Sequence, residues 1–316
     1  MKGKADNMDG LMKRAQRKSR DQRAQLRQLD ANTMLLAGLH VDRVRKLGPI
    51  ASLREAEFKA YSQGGEDGII QYLIAKVPIE NRSFIEFGVE TYVEANTRFL
   101  LAHDDWRGLV IDGGTENIAE IRANKNPYAR HDLSAVCSFI TRDNVNSLFE
   151  SAGFTGDIGL LSVDIDGNDY WIWEAIQSVS PRIVVCEYNS VFGPDAAITI
   201  PYQPAFDRSK AHYSYLYFGA SLAALCLLAE KKGYDFVGSN TMGNNAFFVR
   251  KDLRHGLRKL TAKEGHVVST HRMDSRDING NLTRIGGGRR LELIKDMPVV
   301  DVKSGKTAPI FEWVRT

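Results

Sequence analysis

The stretch from residue 158 to residue 189 constrains this chain more than any other. It holds two short apolar runs, IGLLSV at 158–163 and IVVC at 183–186, each suited to a strand buried on both faces, as parallel sheets require. Each run ends in acid, the first at Asp164-Ile165-Asp166-Gly167-Asn168-Asp169 and the second at Glu187-Tyr188-Asn189. Residues 171–179 between them have the length and apolar spacing of a crossover helix, so the whole reads as a βαβ unit. In open α/β sheets ligands collect beyond the carboxyl ends of the strands, which predicts that Asp164, Asp166, Glu187 and Asn189 stand at one rim. Acidic residues after strands also cap helices and close turns, and Asp166-Gly167-Asn168-Asp169 has that chemistry. Turn formation alone does not ask for two successive strands that both end in carboxylates, with Glu187 and Asn189 on one face.

The same punctuation recurs upstream. Residues 83–88 (SFIEFG) read as a strand ending in Glu86 and Gly88, residues 96–103 as a helix, and residues 108–112 as a second strand ending in Asp112. Asp112 lies at the place where a carboxylate takes the hydroxyls of a ribose. A dinucleotide site also needs Gly-x-Gly-x-x-Gly so that the backbone can approach a pyrophosphate, and here the sequence is Gly88-Val89-Glu90-Thr91-Tyr92. That disfavours a nicotinamide cofactor and keeps a nucleoside without phosphate. Before the first strand, Tyr61-Ser62-Gln63-Gly64-Gly65-Glu66-Asp67-Gly68 leads into a helix at 69–77. Its free backbone N–H groups suit an anion, or the loop is an ordinary helix entry with Glu66 and Asp67 complementing the dipole.

Composition narrows the class. With 316 residues, 43% hydrophobic and 26% charged, the chain reads as globular, with no run of about 20 apolar residues and no apolar leader at Met1 to Asp6. The expected location is cytoplasmic. Cys137, Cys186 and Cys226 are widely spaced in apolar surroundings and read as buried free thiols. The net charge of +3 hides an asymmetry, since residues 1–50 carry twelve Lys or Arg against five Asp, or +7, which leaves −4 for the rest. This basic arm reads as a helix outside the main core, with Leu26, Leu29, Leu36 and Leu39 near coiled-coil spacing. A solvated arm or a self-association helix, giving a homo-oligomer, suits the thin apolar stripe better than nucleic acid or a membrane surface does.

After the fifth strand comes a long insertion at 190–218, of the kind that forms lids and binding loops. It carries His212-Tyr213-Ser214-Tyr215-Leu216-Tyr217-Phe218, where the aromatics can stack on an acceptor or simply pack the insertion down, and where His212 is a candidate general base. A helix at 220–232 and strands at 235–238 and 246–250 follow, with residues 240–245 as their turn. The tail at 251–316 has turn signals at Asn279-Gly280-Asn281, Gly286-Gly287-Gly288 and Ser304-Gly305-Lys306, and reads as a small hairpin-rich extension. The expected organisation is an arm at 1–48, a main domain at 49–250 and that extension at 251–316.

Taken together, Ser62-Gln63-Gly64-Gly65-Glu66-Asp67-Gly68, Phe84-Ile85-Glu86-Phe87-Gly88, Asn96-Thr97, Trp106-Arg107-Gly108 and Val163-Asp164-Ile165-Asp166-Gly167-Asn168-Asp169-Tyr170 resemble class I S-adenosylmethionine-dependent methyltransferases, in particular the bacterial FkbM-related group. The resemblance spans residues 61–250. It implies a doubly wound Rossmann-like α/β sheet of seven strands that finishes with an antiparallel edge strand. It also implies S-adenosylmethionine as cofactor, with Gln63, Glu66, Glu86, Gly88, Asn96, Asp112 and Asp164 around it, Asp112 on the ribose and Asp164 beside the methyl donor. Asp164, Asp166 and His212 become the candidate catalytic residues. By similarity to metal-assisted O-methyltransferases, Asp164, Glu187 and Asn189 are a candidate Mg²⁺ set, although the residue between Glu187 and Asn189 departs from that pattern and favours metal-free chemistry. The acceptor implied is a hydroxyl of a sugar, polysaccharide or secondary metabolite. A silent binding protein on the same fold and a nicotinamide-dependent oxidoreductase are the other classes.

Overall fold

The computed structural model describes residues 20, 24–25, 28–123, 131–270 and 275–314. Its centre is a seven-stranded sheet built from β1 (Ser83–Phe87), β2 (Arg107–Asp112), β3 (Leu133–Cys137), β4 (Gly156–Val163), β5 (Val179–Glu187), β7 (Tyr234–Ser239) and β8 (Asn245–Arg250), in the order β3-β2-β1-β4-β5-β8-β7. The first five run parallel, and β8 is antiparallel to both β5 and β7. The fold is therefore the expected doubly wound α/β sheet. Its finish differs from expectation, because the antiparallel strand is not at the edge. The tight turn at 240–244 folds β8 back between β5 and β7, leaving β7 outermost.

Alternation along the central strands explains two cores. Phe84, Val110, Leu160, Ile183 and Val185 point to one face, and Ile85, Phe87, Leu109, Leu161 and Val184 to the other. The first face is covered by α1 (residues 28–45), α2 (Glu66–Lys76), α3 (Arg98–Asp104) and α4 (Thr115–Ala123). The second is covered by α5 (Val145–Ser151), α6 (Asp169–Ala175) and, after the insertion, α7 (Leu222–Lys232). The crossover helix is shorter than its apolar spacing suggests, because Val179 already belongs to β5. No helix among the described residues is long and apolar enough to cross a membrane.

The arm does not lie outside the core. Ala37, Val41 and Val44 recur at helical spacing and are buried against the first face, and Asp30 accepts a 2.6 Å hydrogen bond from the Tyr61 hydroxyl. Leu29, Leu36 and Leu39 of the expected stripe, with Leu35, are exposed on the opposite side of α1, while Leu26 falls outside the described residues. Of the three free thiols, Cys186 is buried, Cys226 half-buried and Cys137 exposed, so the expectation of burial fails at the end of edge strand β3.

The tail is not a separate extension either. Its β9 (Pro298–Asp301) pairs with β10 (Thr307–Pro309) on one side and with β6 (Ile198–Thr199), from the insertion, on the other. Phe192, Ile198, Ile200, Phe206, Leu216 and Phe218 of the insertion share a third core with Leu291, Ile294, Val299 and Ile310 of the tail. Insertion and tail form one structure, tied to helix α6 at Trp171, whose indole N–H donates to the Ile200 carbonyl at 2.8 Å.

Candidate active site

The strand order reverses between β1 and β4, and the loops beyond those two strands meet there. Gly88 makes the meeting possible. It has φ +72°, and a Cβ on it would lie 1.8 Å from the Asp164 carbonyl oxygen, so only glycine lets the two backbones approach so closely. Gly88 and Asp164 form a shared wall between two clefts.

The first cleft, of about 210 Å³, lies on the β2 side, between Gly88, Asp112, Phe139, Ile140, Ile165 and Phe206. Asp112 closes β2, and its carboxylate organises the surrounding loops. Oδ2 accepts from the Glu90 N–H at 2.8 Å, and Oδ1 accepts from the Gly114 N–H at 2.7 Å and the Asn117 amide at 2.9 Å. A carboxylate has about four acceptor positions, so one remains for a ligand hydroxyl. Apolar Phe139, Ile140, Ile165 and Phe206 facing the Asp112 carboxylate suit a nucleoside, with Glu90, Asp164 and Asp166 also in the lining, and the loop offers no glycine cradle for a pyrophosphate.

The second cleft, of about 560 Å³, lies on the β5 and β8 side. Asp164, Asp166 and Glu187, three of the four residues expected at one rim, line it together with Glu86. Asn189 also lines it, but its side chain is committed elsewhere. The amide donates to the Leu216 and Phe218 carbonyls at 2.9 and 3.0 Å, and its oxygen accepts from the Val191 N–H at 3.0 Å. Asn189 thus pins the insertion, and the expected metal set is corrected: the acidic oxygens that lie within 4.8 Å of one another belong to Asp164, Asp169 and Glu187. Such a trio has the hard oxygen donors that Mg²⁺ prefers. Asp169 is also held by the Ile165 and Gly167 N–H groups at 2.8 and 2.9 Å, as a turn residue.

The electrostatics follow from crowding. Burial, then Asp166, Asp169 and Glu86, hold the Asp164 carboxyl well above the usual range, with Arg208 opposing. Burial, then Asp164, Asp166 and Asp169, do the same to Glu187. Burial pushes Asp169 up to about 6 despite its backbone hydrogen bonds. Arg208, from the insertion, sits 2.5 Å from Asp166 and 3.7 Å over the Phe218 ring. Asp166 is mostly exposed, has φ +55°, and is better described as the anchor of Arg208 than as a proton carrier.

Other expected site residues have structural work. Glu86 is buried, and burial raises its pKa. Its oxygens accept from the Asn96 N–H at 2.8 Å, the Thr97 N–H at 3.0 Å and the Thr97 hydroxyl at 2.5 Å, fixing the loop before α3. Asn96 lines the cleft and donates its amide to Ser162 at 3.1 Å. Gln63 lines it too, accepting from Asn244 at 3.1 Å.

Two expectations fail. Glu66 is fully buried and lines neither cleft: it accepts the Gly64 and Gly65 N–H groups at 2.7 and 2.8 Å and the Asn240 and Asn245 amides at 2.5 and 3.1 Å. Those contacts also occupy the loop N–H groups that an anion would need. His212 lines neither cleft. Its Nδ1 lies 2.7 Å from the Ser214 hydroxyl, its ring packs on Tyr213 at 4.4 Å, and burial lowers its pKa. Of the aromatic residues that follow it, Tyr217 and Phe218 are buried with Leu216 and pack the insertion down, while Tyr213 is exposed.

Several lining residues had no clear sequence signal: Arg208 and Ser190 from the insertion, Ser269 and Arg290 from the tail, and Asn244 and Asn245 from a stretch that reads only as a turn. Repeated asparagine after a strand is a weak polar cue.

No protein-family model matches the chain, and none of the curated proteins does. Among solved structures, it is similar to the N-terminal domain of EvdMO1 with SAH bound, at 12% identity over 58% of this chain and 79% of that one, TM-score 0.37. It is similar to PKMT2 from Rickettsia typhi in complex with AdoHcy, at 10% identity over 61% of this chain and 54% of that one, TM-score 0.40. A third is the CurJ carbon methyltransferase, at 10% identity over 63% of this chain and 57% of that one, TM-score 0.37.

Proposed function

We propose that this protein is an S-adenosylmethionine-dependent methyltransferase acting on a hydroxyl of a sugar, polysaccharide or secondary metabolite. The observation that carries the reading is the pair of clefts meeting at Gly88 and Asp164, one with Asp112 at the end of β2 facing the apolar Phe139, Ile140, Ile165 and Phe206, the other wider and acidic. That division suits a nucleoside-bearing donor on one side and a polar acceptor on the other, with the reacting atoms at the shared wall.

Bound adenosylmethionine supplies an electrophilic methyl group on a sulfonium sulfur. The chain's own residues do the rest. Asp112 and the walls formed by Phe139, Ile140 and Ile165 would hold the nucleoside, while Gly88 lets the ends of β1 and β4 meet between the two clefts. The acceptor cleft holds a hydroxyl in line with the methyl group, and positioning of this kind provides most of the rate. Asp164, with a carboxyl shifted upward by burial and its acidic neighbours, takes the hydroxyl proton as the new O–CH₃ bond forms and the S–CH₃ bond breaks. Asp164, Asp169 and Glu187 have the donor set to hold Mg²⁺, and a cation there would favour the ionised acceptor oxygen. The crowding of these acids gives a metal-free site a proton acceptor of its own in Asp164, and this is the reading favoured.

Calorimetry with adenosylhomocysteine and with NAD tests the proposal. Adenosylhomocysteine binds, NAD does not, and Asp112→Ala weakens binding by about 1.5–3 kcal/mol, the worth of a hydrogen bond to a charged group. Preference for NAD, or unchanged affinity in Asp112→Ala, contradicts it.

A further inference from the structure

Two oxygen atoms in the wall of the acceptor cleft have no hydrogen-bond partner among the described residues, Glu187 Oε2 and Asn245 Oδ1. The two residues are 7% and 3% exposed, and both line the cleft. They stand opposite each other in the antiparallel β5–β8 pair, so their side chains leave the same face of the sheet with Cβ atoms about 5 Å apart. The orientation of the asparagine is fixed chemically. Its Nδ2 lies 3.1 Å from Glu66 Oε1, which also takes the Asn240 amide at 2.5 Å. A carboxylate oxygen so placed accepts and does not donate, so the NH₂ of Asn245 faces Glu66 and its carbonyl oxygen is left as an acceptor. Buried acceptors of this kind call for a donor.

The surroundings select the type of donor. Asp164 and Asp169 place carboxylate oxygens within 4.8 Å of one on Glu187, and the guanidinium that opposes them, Arg208, is engaged by Asp166. A neutral hydroxyl would satisfy the orphaned oxygens and leave the crowded acids to be neutralised by the protons that burial and mutual repulsion keep on them. A protonated primary amine brings three N–H donors and a positive charge together. Three strand spacings separate β2 from β5, which puts this corner about 14 Å from Asp112 and on the acceptor side of Asp164.

We propose that Glu187 and Asn245 form a subsite for a protonated primary amine on the acceptor, so that the substrate class is an amino-bearing polyol such as an amino sugar. The proposal rests on the methyltransferase reading above. In it the ammonium is an anchor and the methylated atom is a hydroxyl oxygen turned towards Asp164.

The test is calorimetry of the full-length protein saturated with adenosylhomocysteine and titrated at pH 7 with glucosamine, N-acetylglucosamine and glucose. Glucosamine binds at least about tenfold more tightly than the two neutral sugars, the scale of a hydrogen bond to a charged group. Glu187→Gln abolishes that preference while adenosylhomocysteine binding persists, and Asn245→Ala reduces it. Equal affinities, or no binding of glucosamine, overturn the proposal. So does a loss of adenosylhomocysteine affinity in a folded Glu187→Gln protein, which would give the corner to the donor's own amino group. Titration with MgCl₂ alone that shows binding in the wild type and none in Glu187→Gln also overturns it in favour of a metal site. Failure of the wild type to bind adenosylhomocysteine at all is a different result, and sinks the methyltransferase reading itself.

Discussion

The Asp164 carbonyl oxygen lies 1.8 Å from the point where a Cβ on Gly88 would sit. Gly88→Ala therefore forces the ends of β1 and β4 apart and places a side chain at φ +72°. The expected cost is about 2–4 kcal/mol of folding stability, from overpacking plus backbone strain. Urea denaturation measures it, and adenosylhomocysteine affinity falls in parallel because both clefts share that wall. A variant with wild-type stability and affinity would show that the loops separate freely.

The crowded acids make a prediction about pH. Asp164 and Glu187 are held well above their usual values and Asp169 is raised to about 6 from 3.8, by burial first. The folded state thus keeps protons that the unfolded chain releases. Their contribution to stability is whole below the unfolded values and is lost as pH rises through the folded ones, which for Asp169 is the window from 3.8 to about 6. Glu187→Gln removes one charge from the cluster and keeps its shape. It raises the thermal midpoint at pH 8, by about 1–2 kcal/mol of stability, and leaves it nearly unchanged at pH 4. Equal midpoints at both pH values would mean that repulsion at this corner is negligible.

Chelation separates the two ways of neutralising the corner. With the proton taken by Asp164, and positive charge brought by the acceptor, EDTA leaves both adenosylhomocysteine binding and methyl transfer intact. Complete loss of transfer in EDTA, restored by Mg²⁺, would transfer the role of Asp164, Asp169 and Glu187 to metal binding.

The exposed leucines of α1 bear on assembly. Leu29, Leu35, Leu36 and Leu39 lie on the side of the helix away from its buried Ala37, Val41 and Val44. The expected partner for such a face is a second copy of the same helix related by a two-fold axis. Leu35→Lys combined with Leu39→Lys converts a dimer to a monomer in light scattering and leaves cofactor binding intact. Deleting residues 1–48 is no test, because it strips Val41 and Val44 from the core. A single mass for the wild type and the double variant would contradict the pairing.

The parts of the fold that were legible in the sequence are those governed by local chemistry. β1, β2, β4 and β5 are apolar runs with an acid at or beside their ends, and the apolar run itself is how a strand buried on both faces reads. β3 escaped notice because Leu133–Cys137 is a half-buried edge strand without that signature. The core face of α1 was hidden by its leucines: the small and branched Ala37, Val41 and Val44 go inside, and the conspicuous leucines face solvent. In the site, Asp164 and Glu187 could be placed by strand position alone. Glu66 and Asn189 looked like ligands because residue type does not reveal where a side chain's hydrogen bonds end, and theirs end on backbone and amide groups far along the chain. Asn245 is the converse case, marked out only by the distant Glu66 that fixes its amide.

The pairing of β6 with β9 sets an order in time for a chain leaving the ribosome. Domains form from the N-terminus as synthesis proceeds. All that lines the donor cleft lies before residue 207, whereas the acceptor cleft takes Ser269 and Arg290, and the insertion gains its sheet partner only with residues 298–301. Yet Phe206, a wall of the donor cleft, packs in the same core as Leu291, Ile294, Val299 and Ile310, so neither half of the site is finished until the last strands have left the ribosome.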